Sequence, residues 1–318
     1  VAASRTDTGQ SDRGQAASHP AGIPIKGWID ILGRVRHALA RDHIWVAAAG
    51  LAFCTLVAAI PGMVVVLAGF GSLADPAAVR QHMAMTEGLL PAAASQFLAD
   101  EVQATASLSR LHLGGAVVIA LWSARIGAST FISVFNIAYR EREARGFVRY
   151  QLAVSAVTLG LCLFGLLALF LIAIAPVAIE NQAISSGWET AIRLGRWPAL
   201  AVLTIAALAC IYRLAPSRSA PKWRWVAPGA VAATLLWLAG SAAFSHYVRK
   251  FASTEDTFGT LGIMLLLLSW FYLAAFTILL GAELNAEIER QTARDTTEGP
   301  ERPQGQRGAS VADTIRTG

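Results

Sequence analysis

The chain has 318 residues, 55% of them apolar and only 15% charged, against about 25% charged in an ordinary soluble domain. Its charges fall in short clusters between long apolar runs, which leaves no stretch for a sizeable soluble domain. The net charge of +5 is compatible with a polyanionic partner, but a membrane chain acquires the same excess from basic residues kept beside anionic lipid.

Residues 1–24 are rich in Ser, Gly, Gln and Ala without apolar periodicity, and a disordered N-terminal tail is expected there. No charged-then-apolar leader pattern is present, so the first apolar run, near Ile44, is expected to stay in the membrane. Before it, Ile25 to Asp42 set Ile25, Trp28, Ile29, Ile31, Leu32, Val35 and Leu39 against Lys26, Arg34, Arg36 and Arg41. That spacing predicts an amphipathic helix in the headgroup region. Six apolar runs then follow, near Ile44–Leu73, His112–Ala138, Gln151–Ala178, Trp197–Tyr212, Val226–Tyr247 and Phe258–Leu284. Each is read as a membrane-crossing helix, the fourth being the shortest. The link from Ala74 to Leu111 is too long for a turn. It reads either as two short amphipathic helices broken at Pro91 that cover an opening, or as a solvated hairpin without a functional surface. Residues 291–318 are polar and are expected to be a disordered C-terminal tail. The predicted fold class is therefore all-α: a polytopic membrane domain over residues 25–290.

Lys and Arg counts orient the spans. The segment before span one holds Lys26, Arg34, Arg36 and Arg41; the links that follow hold two, four, two, four and two, and the tail five. The alternation is unbroken, and the positive-inside rule then puts both termini in the cytoplasm.

Arg125 is the most informative polar residue, near the middle of span two. A midplane Arg costs about 2.5–3.5 kcal/mol on insertion scales and must face protein or a wet cavity. Pro61 frees the Val57 carbonyl in span one, at about the depth of Arg125. The candidate site is therefore Arg125 on Val57, with Thr55 and Ser129 as helpers, in a cavity opened at Pro61. A purely structural lock and a site for an anionic ligand both fit this arrangement. Glu283, in the last turn of span six, opposes the helix dipole and calls for a cation from the Arg140–Arg149 loop, with Arg145 and Arg149 as candidates. A proton-relay role is the other reading. Asn136 is expected to hydrogen-bond between helices, and Gly127 with Ser123, and Gly160 with Gly165, to permit close helix contact. Cys54, Cys162 and Cys210 read as small buried hydrophobes. The six histidines are scattered, and neither a P-loop nor a nucleophile elbow occurs. No catalytic residue, metal or cofactor is expected.

Several motifs carry a resemblance. Ala48-Ala-Gly-Leu-Ala-Phe53, Pro61, Ala74-Asp-Pro76, Leu121-Trp-Ser123, Asn136 with Tyr139, and Glu143-x-Arg145-x-Phe147-x-Arg149 occur in order. Pro228-Gly229 with Trp237, Phe258-Gly-Thr-Leu-Gly262 and Gly281-Ala-Glu-Leu-Asn285 follow. Over about residues 28 to 290 this set resembles the YihY/virulence factor BrkB family of bacterial inner-membrane proteins. Arg125 departs from it, since the family is associated with a small or polar residue there. The resemblance implies six spans in the inner membrane and a role in envelope integrity. It also implies a link to serum resistance or lipopolysaccharide traffic, and an old ribonuclease BN label. Together the readings give a protein that transports or positions a lipid or anionic amphiphile, with membrane lipids as partners and no nucleic acid. A non-transporting scaffold for envelope proteins is the alternative and a membrane-bound ribonuclease the least supported. The sequence sets no oligomeric state.

Overall fold

The computed structural model describes residues 13–73, 110–169, 171, 186–251 and 255–315. They form α1 (Ile25–Arg41), α2 (Ile44–Leu73), α3 (Arg110–Ala138), α4 (Phe147–Leu169), α5 (Ser186–Leu214), α6 (Trp223–Phe251), α7 (Glu255–Glu289) and the short α8 (Ser310–Asp313). No strand is present among the described residues; Pro221 and Thr297 make an isolated bridge. Five of these helices are long and apolar enough to cross a membrane, or six if α1 and the first part of α2, bent by 65° at their junction, count as one span. The all-α, multi-span architecture is thus as expected. The expected segment between Ala74 and Leu111 falls almost wholly outside the described residues.

The chain divides into two compact units. One holds residues up to Ala52 together with Ala128 onward; the other runs from Phe53 to Gly127 and contains the rest of α2 and the first part of α3. In the first unit, Ile44, Leu51, Ile132, Phe135, Tyr139, Tyr212 and Leu279 form the main buried cluster. Its tightest contact is between α6 and α7. A Cβ on Gly229 would collide with the Gly281 carbonyl oxygen, and one on Gly281 would lie 2.6 Å from the Gly229 carbonyl oxygen. The Asn285 amide bonds α6 backbone in both directions, accepting from Gly229 N–H at 2.7 Å and donating to Val226 C=O at 3.0 Å. Tyr212 donates to Ile278 C=O at 2.7 Å and so ties in α5.

Helix α1 is amphipathic as expected, and one of its faces is buried against protein. Ile31, Val35 and Trp28 pack with Trp225 and Ile288. Ile25, Ile29 and Leu32 stay exposed on the other side.

The described parts of both tails are ordered where disorder was expected; residues 1–12 and 316–318 lie outside the described residues. Residues 13–24 are folded: Ala17 and Ile23 are buried, and Gln15 C=O accepts Ala293 N–H. Residues 291–315 are folded too. Arg307 is 5% exposed and donates to four backbone carbonyls, those of Ala293, Arg294, Arg302 and Ala312. Polar composition without periodicity signals disorder only when nothing else supplies hydrogen-bond partners. Here a buried guanidinium and the adjacent loops do. Ser310 N–H donates to Glu141, Ser219 N–H to Gly308 C=O, and Lys222 N–H to Thr296 C=O. The two tails, the 139–146 turn and the 215–222 link therefore meet at one end of the first unit.

Candidate functional site: an apolar groove beside a buried ion network

An apolar cavity of about 550 Å³ lies wholly in the first unit, along α4 and α5. Its α4 wall is Ala153, Ala156, Val157, Gly160, Phe164 and Leu167, a spacing that keeps them on one helix face. Leu203, Ala207, Cys210 and Leu214 line α5, with Trp237 from α6 and Trp270 and Ile278 from α7 as the floor. The two threonines in the wall turn inward: Thr204 bonds Leu200 C=O and Thr234 bonds Ala230 C=O, each at 2.8 Å. From Ala153 to Leu167 the groove runs about 21 Å at helical rise, longer than the roughly 15 Å of one hydrocarbon leaflet. Arg149, exposed, stands one turn before Ala153 on the same face, at the end of the groove nearest the tails.

That same end holds a buried ion network. Glu287, 1% exposed, accepts from three guanidiniums: Arg34 at 2.9 Å, Arg140 at 3.3 Å and Arg290 at 2.6 Å. Arg140 also lies 3.7 Å from Asp42, which Arg41 pairs at 2.6 Å. Two residues on, Glu289 takes Arg218 through both nitrogens, at 2.7 and 3.1 Å, and Thr296 at 3.0 Å. The Arg218 guanidinium sits 4.2 Å over the Tyr139 ring. Burial works to lower the Arg218 pKa, but Glu289 outweighs it and holds the group firmly cationic. Burial pushes the Tyr139 phenol up.

Asn136 joins the turn to the 215–222 link, donating to Glu143 at 3.1 Å and accepting Ser217 N–H at 2.8 Å. Arg145 closes the arrangement with Glu143 at 2.8 Å and Ala215 C=O at 2.8 Å. Burial opposes the charged form of Glu143, yet the hydrogen bonds from Arg145 and Asn136 bring its carboxyl down to about 2.

The sequence-derived candidates around Arg125 do not belong to the groove. Thr55, Val57, Pro61 and Arg125 fall in the second unit and Ser129 in the first; none of them lines the groove. Arg125 is half-buried and Val57 exposed, and neither Arg125 nor Thr55 lacks a partner. Glu283 does not receive an arginine from the 140–149 loop. Arg140 goes to Glu287, one turn further along, because the helix continues to Glu289 and carries the turn to that level. Arg145 is spent on Glu143 and Arg149 is exposed. Among the described residues, Gly127, Gly160 and Gly165 meet nothing within 4 Å of where a Cβ would sit, so no close helix contact is seen at them there; Gly160 lines the groove instead. Cys162 and Cys210 are exposed rather than buried, because the helices present apolar outer faces where small hydrophobes need no protein cover. Missed in the sequence were Glu287, Glu289 and Arg218. The signal was present: three glutamates in the last two turns of one helix oppose its dipole and require cations.

Comparison with known proteins fits this architecture. The virulence factor BrkB family matches residues 35–306. The chain belongs to that family. Among its relatives is the putative ribonuclease-like protein YfkH of Bacillus subtilis strain 168, 31% identical over 55% of this chain and 65% of that protein. Another is the UPF0761 membrane protein RC1_0578 of Rhodospirillum centenum, 28% identical over 91% of this chain and 64% of that protein. A UPF0761 membrane protein of Vibrio atlanticus is 26% identical over 82% of each. The chain spans slightly under two thirds of the length of the first two. No solved structure matches it. This BrkB-family chain is a multi-pass membrane protein. Among its described residues no three His, Cys, Asp or Glu side chains come together to hold a metal ion.

Proposed function

We propose that this BrkB-family protein serves envelope integrity in the bacterial inner membrane by positioning or transporting an anionic amphiphile, both its termini lying in the cytoplasm. The acyl chain occupies the α4–α5 groove and the anionic head lies at Arg149. The observation that carries this reading is the groove itself: about 550 Å³, walled by apolar side chains, with an exposed arginine one turn beyond it on the same helix face. Its volume falls within the roughly 300–1,000 Å³ of small-molecule sites. The proposal assigns the chain no bond-making chemistry and no nucleic-acid substrate.

The test is lipid retention. Full-length protein extracted into nanodiscs from native membrane should carry an anionic lipid enriched over the bulk. Gly160→Trp fills the groove from a position with open space beside it, and should abolish the enrichment. Arg149→Gln should shift it toward zwitterionic lipid. Bulk lipid composition in all three samples would leave a dry, scaffold-like bundle in place of this reading. RNA cleavage by the purified protein, lost on replacing carboxylates or histidines, would replace it with the activity in YfkH's name.

A further inference from the structure

Helix α7 ends with two buried carboxylates one turn apart, Glu283 and Glu287, and they are treated in opposite ways. Glu287 has three guanidiniums. Glu283, with no exposed surface, has no hydrogen-bond partner on either oxygen among the described residues.

We propose that Glu283 is a proton-binding site: the ion network around it is assembled for a neutral carboxylic acid, and loss of that proton re-pairs the arginines holding α1 and the turn after α3 onto α7. The charged groups facing it are paired elsewhere, and the Tyr139 hydroxyl has no hydrogen-bond partner among the described residues. From α1 and its C-terminal turn come Arg41 and Asp42, paired with each other at 2.6 Å. From the turn after α3 come Tyr139, which stacks under Arg218, and Arg140, which bridges Asp42 and Glu287. On α7 itself, Glu287 and Arg290 bond each other. Helix α6, pressed on α7 at Gly229 and Gly281, has apolar Val226, Ala230 and Ala233 buried there.

An ionised carboxylate buried without a partner is penalised by several kcal/mol, whereas the neutral acid loses only hydrogen bonds to water. A metal ion is a poor occupant, because Arg34, Arg41, Arg140 and Arg290 already supply the positive charge. The proton takes Glu283 from −1 to zero charge and adds no cationic centre to a site already rich in guanidiniums. When it leaves, the new anion draws an arginine from Asp42 or Glu287. Those pairs are the bonds by which α1, through Arg34, and the turn, through Arg140, are fastened to α7. Raising the pH should therefore loosen that end, and lowering it should restore it. The site stands whether or not the groove holds an amphiphile.

Infrared spectroscopy of the full-length protein in nanodiscs tests this, with carbon-13 glutamate to identify the band. At neutral pH a protonated carboxylic-acid band should be present in the wild type and absent in Glu283→Gln. The band should fall as pH rises, in step with faster amide exchange in α1 after correction for intrinsic rates. The Gln variant, an isostere of the neutral acid, should keep the wild-type melting temperature and lose the pH-dependent loosening. A wild type with no such band at neutral pH would overturn the proposal. So would a Gln variant that loosens with pH as the wild type does. Should the Gln variant fail to fold, the wild-type titration decides alone: band and exchange must move together.

Discussion

Arg34 and Glu287 stand 253 positions apart in sequence and 2.9 Å apart in space, and that separation is why their pairing was not legible. A carboxylate near the end of span six plainly needs a cation. Which carboxylate receives it depends on where the helix stops and how the preceding turn is aimed. Arg140 adopts a positive φ of 55°, which turns the chain toward α7 and brings its guanidinium to Glu287. Asn136, by contrast, was legible as a hydrogen-bonding residue, but not as an interhelical one: its partners, Glu143 and Ser217, lie in the turn and the link, not on helices. Glu287 is the shared acceptor of three guanidiniums, so its loss removes a buried carboxylate from all of them at once. Glu287→Ala should destabilise the protein by about 3–5 kcal/mol, the usual effect of breaking a buried pair from one side. Arg149→Ala, at an exposed end, should leave stability within about 0.5 kcal/mol. Thermal unfolding in one detergent, compared across the two variants, checks the contrast. Equal melting temperatures would mean that the network is not an energetic centre.

Elements were read from sequence far better than their contacts. Apolar run lengths placed α2 at Ile44–Leu73 and the end of α3 at Ala138, as observed, because insertion of a helix is decided locally by side-chain transfer energies. Contacts between helices are decided by shape, and small-residue spacing alone misassigned them. Gly160 and Gly165 meet no neighbour among the described residues, while Gly229 and Gly281 oppose each other across α6 and α7 with no room for a methyl group. The last pair was visible only as motif, not as mutual contact. A Cβ on either must push two backbones apart, and overpacking of this kind costs about 1–3 kcal/mol. Gly160→Ala meets open space and gains helix propensity, roughly 0.5–1 kcal/mol. Gly229→Ala and Gly281→Ala should therefore lower the melting temperature, and Gly160→Ala should leave it unchanged or raise it. If all three behave alike, the close approach of α6 and α7 is not what holds the pair together.

At the scale of the molecule, the ends of the chain are joined to its middle. The 13–24 and 291–315 segments look like solvated tails in composition, yet they bond each other, the 139–146 turn and the 215–222 link. Three of those segments, and α1 directly after the first, are also where the Lys and Arg counts are high, so the pattern that orients the spans and the contacts that gather one end select largely the same pieces of chain. Shared contact requires that all four lie on one side of the membrane, which the proposed orientation, resting on the positive-inside rule, makes the cytoplasmic side. Single cysteines at His19, Ala144 and Glu301, each exposed, report on three of the four in a background where Cys54, Cys162 and Cys210 are replaced by alanine. An impermeant maleimide should label none of them in intact cells and all of them in inverted vesicles. Split accessibility, with Ala144→Cys reacting from the side opposite Glu301→Cys, would contradict the gathered end. Uniform labelling from outside would keep that end intact and reverse its orientation, moving the groove's arginine, and the head it is proposed to hold, to the periplasmic face.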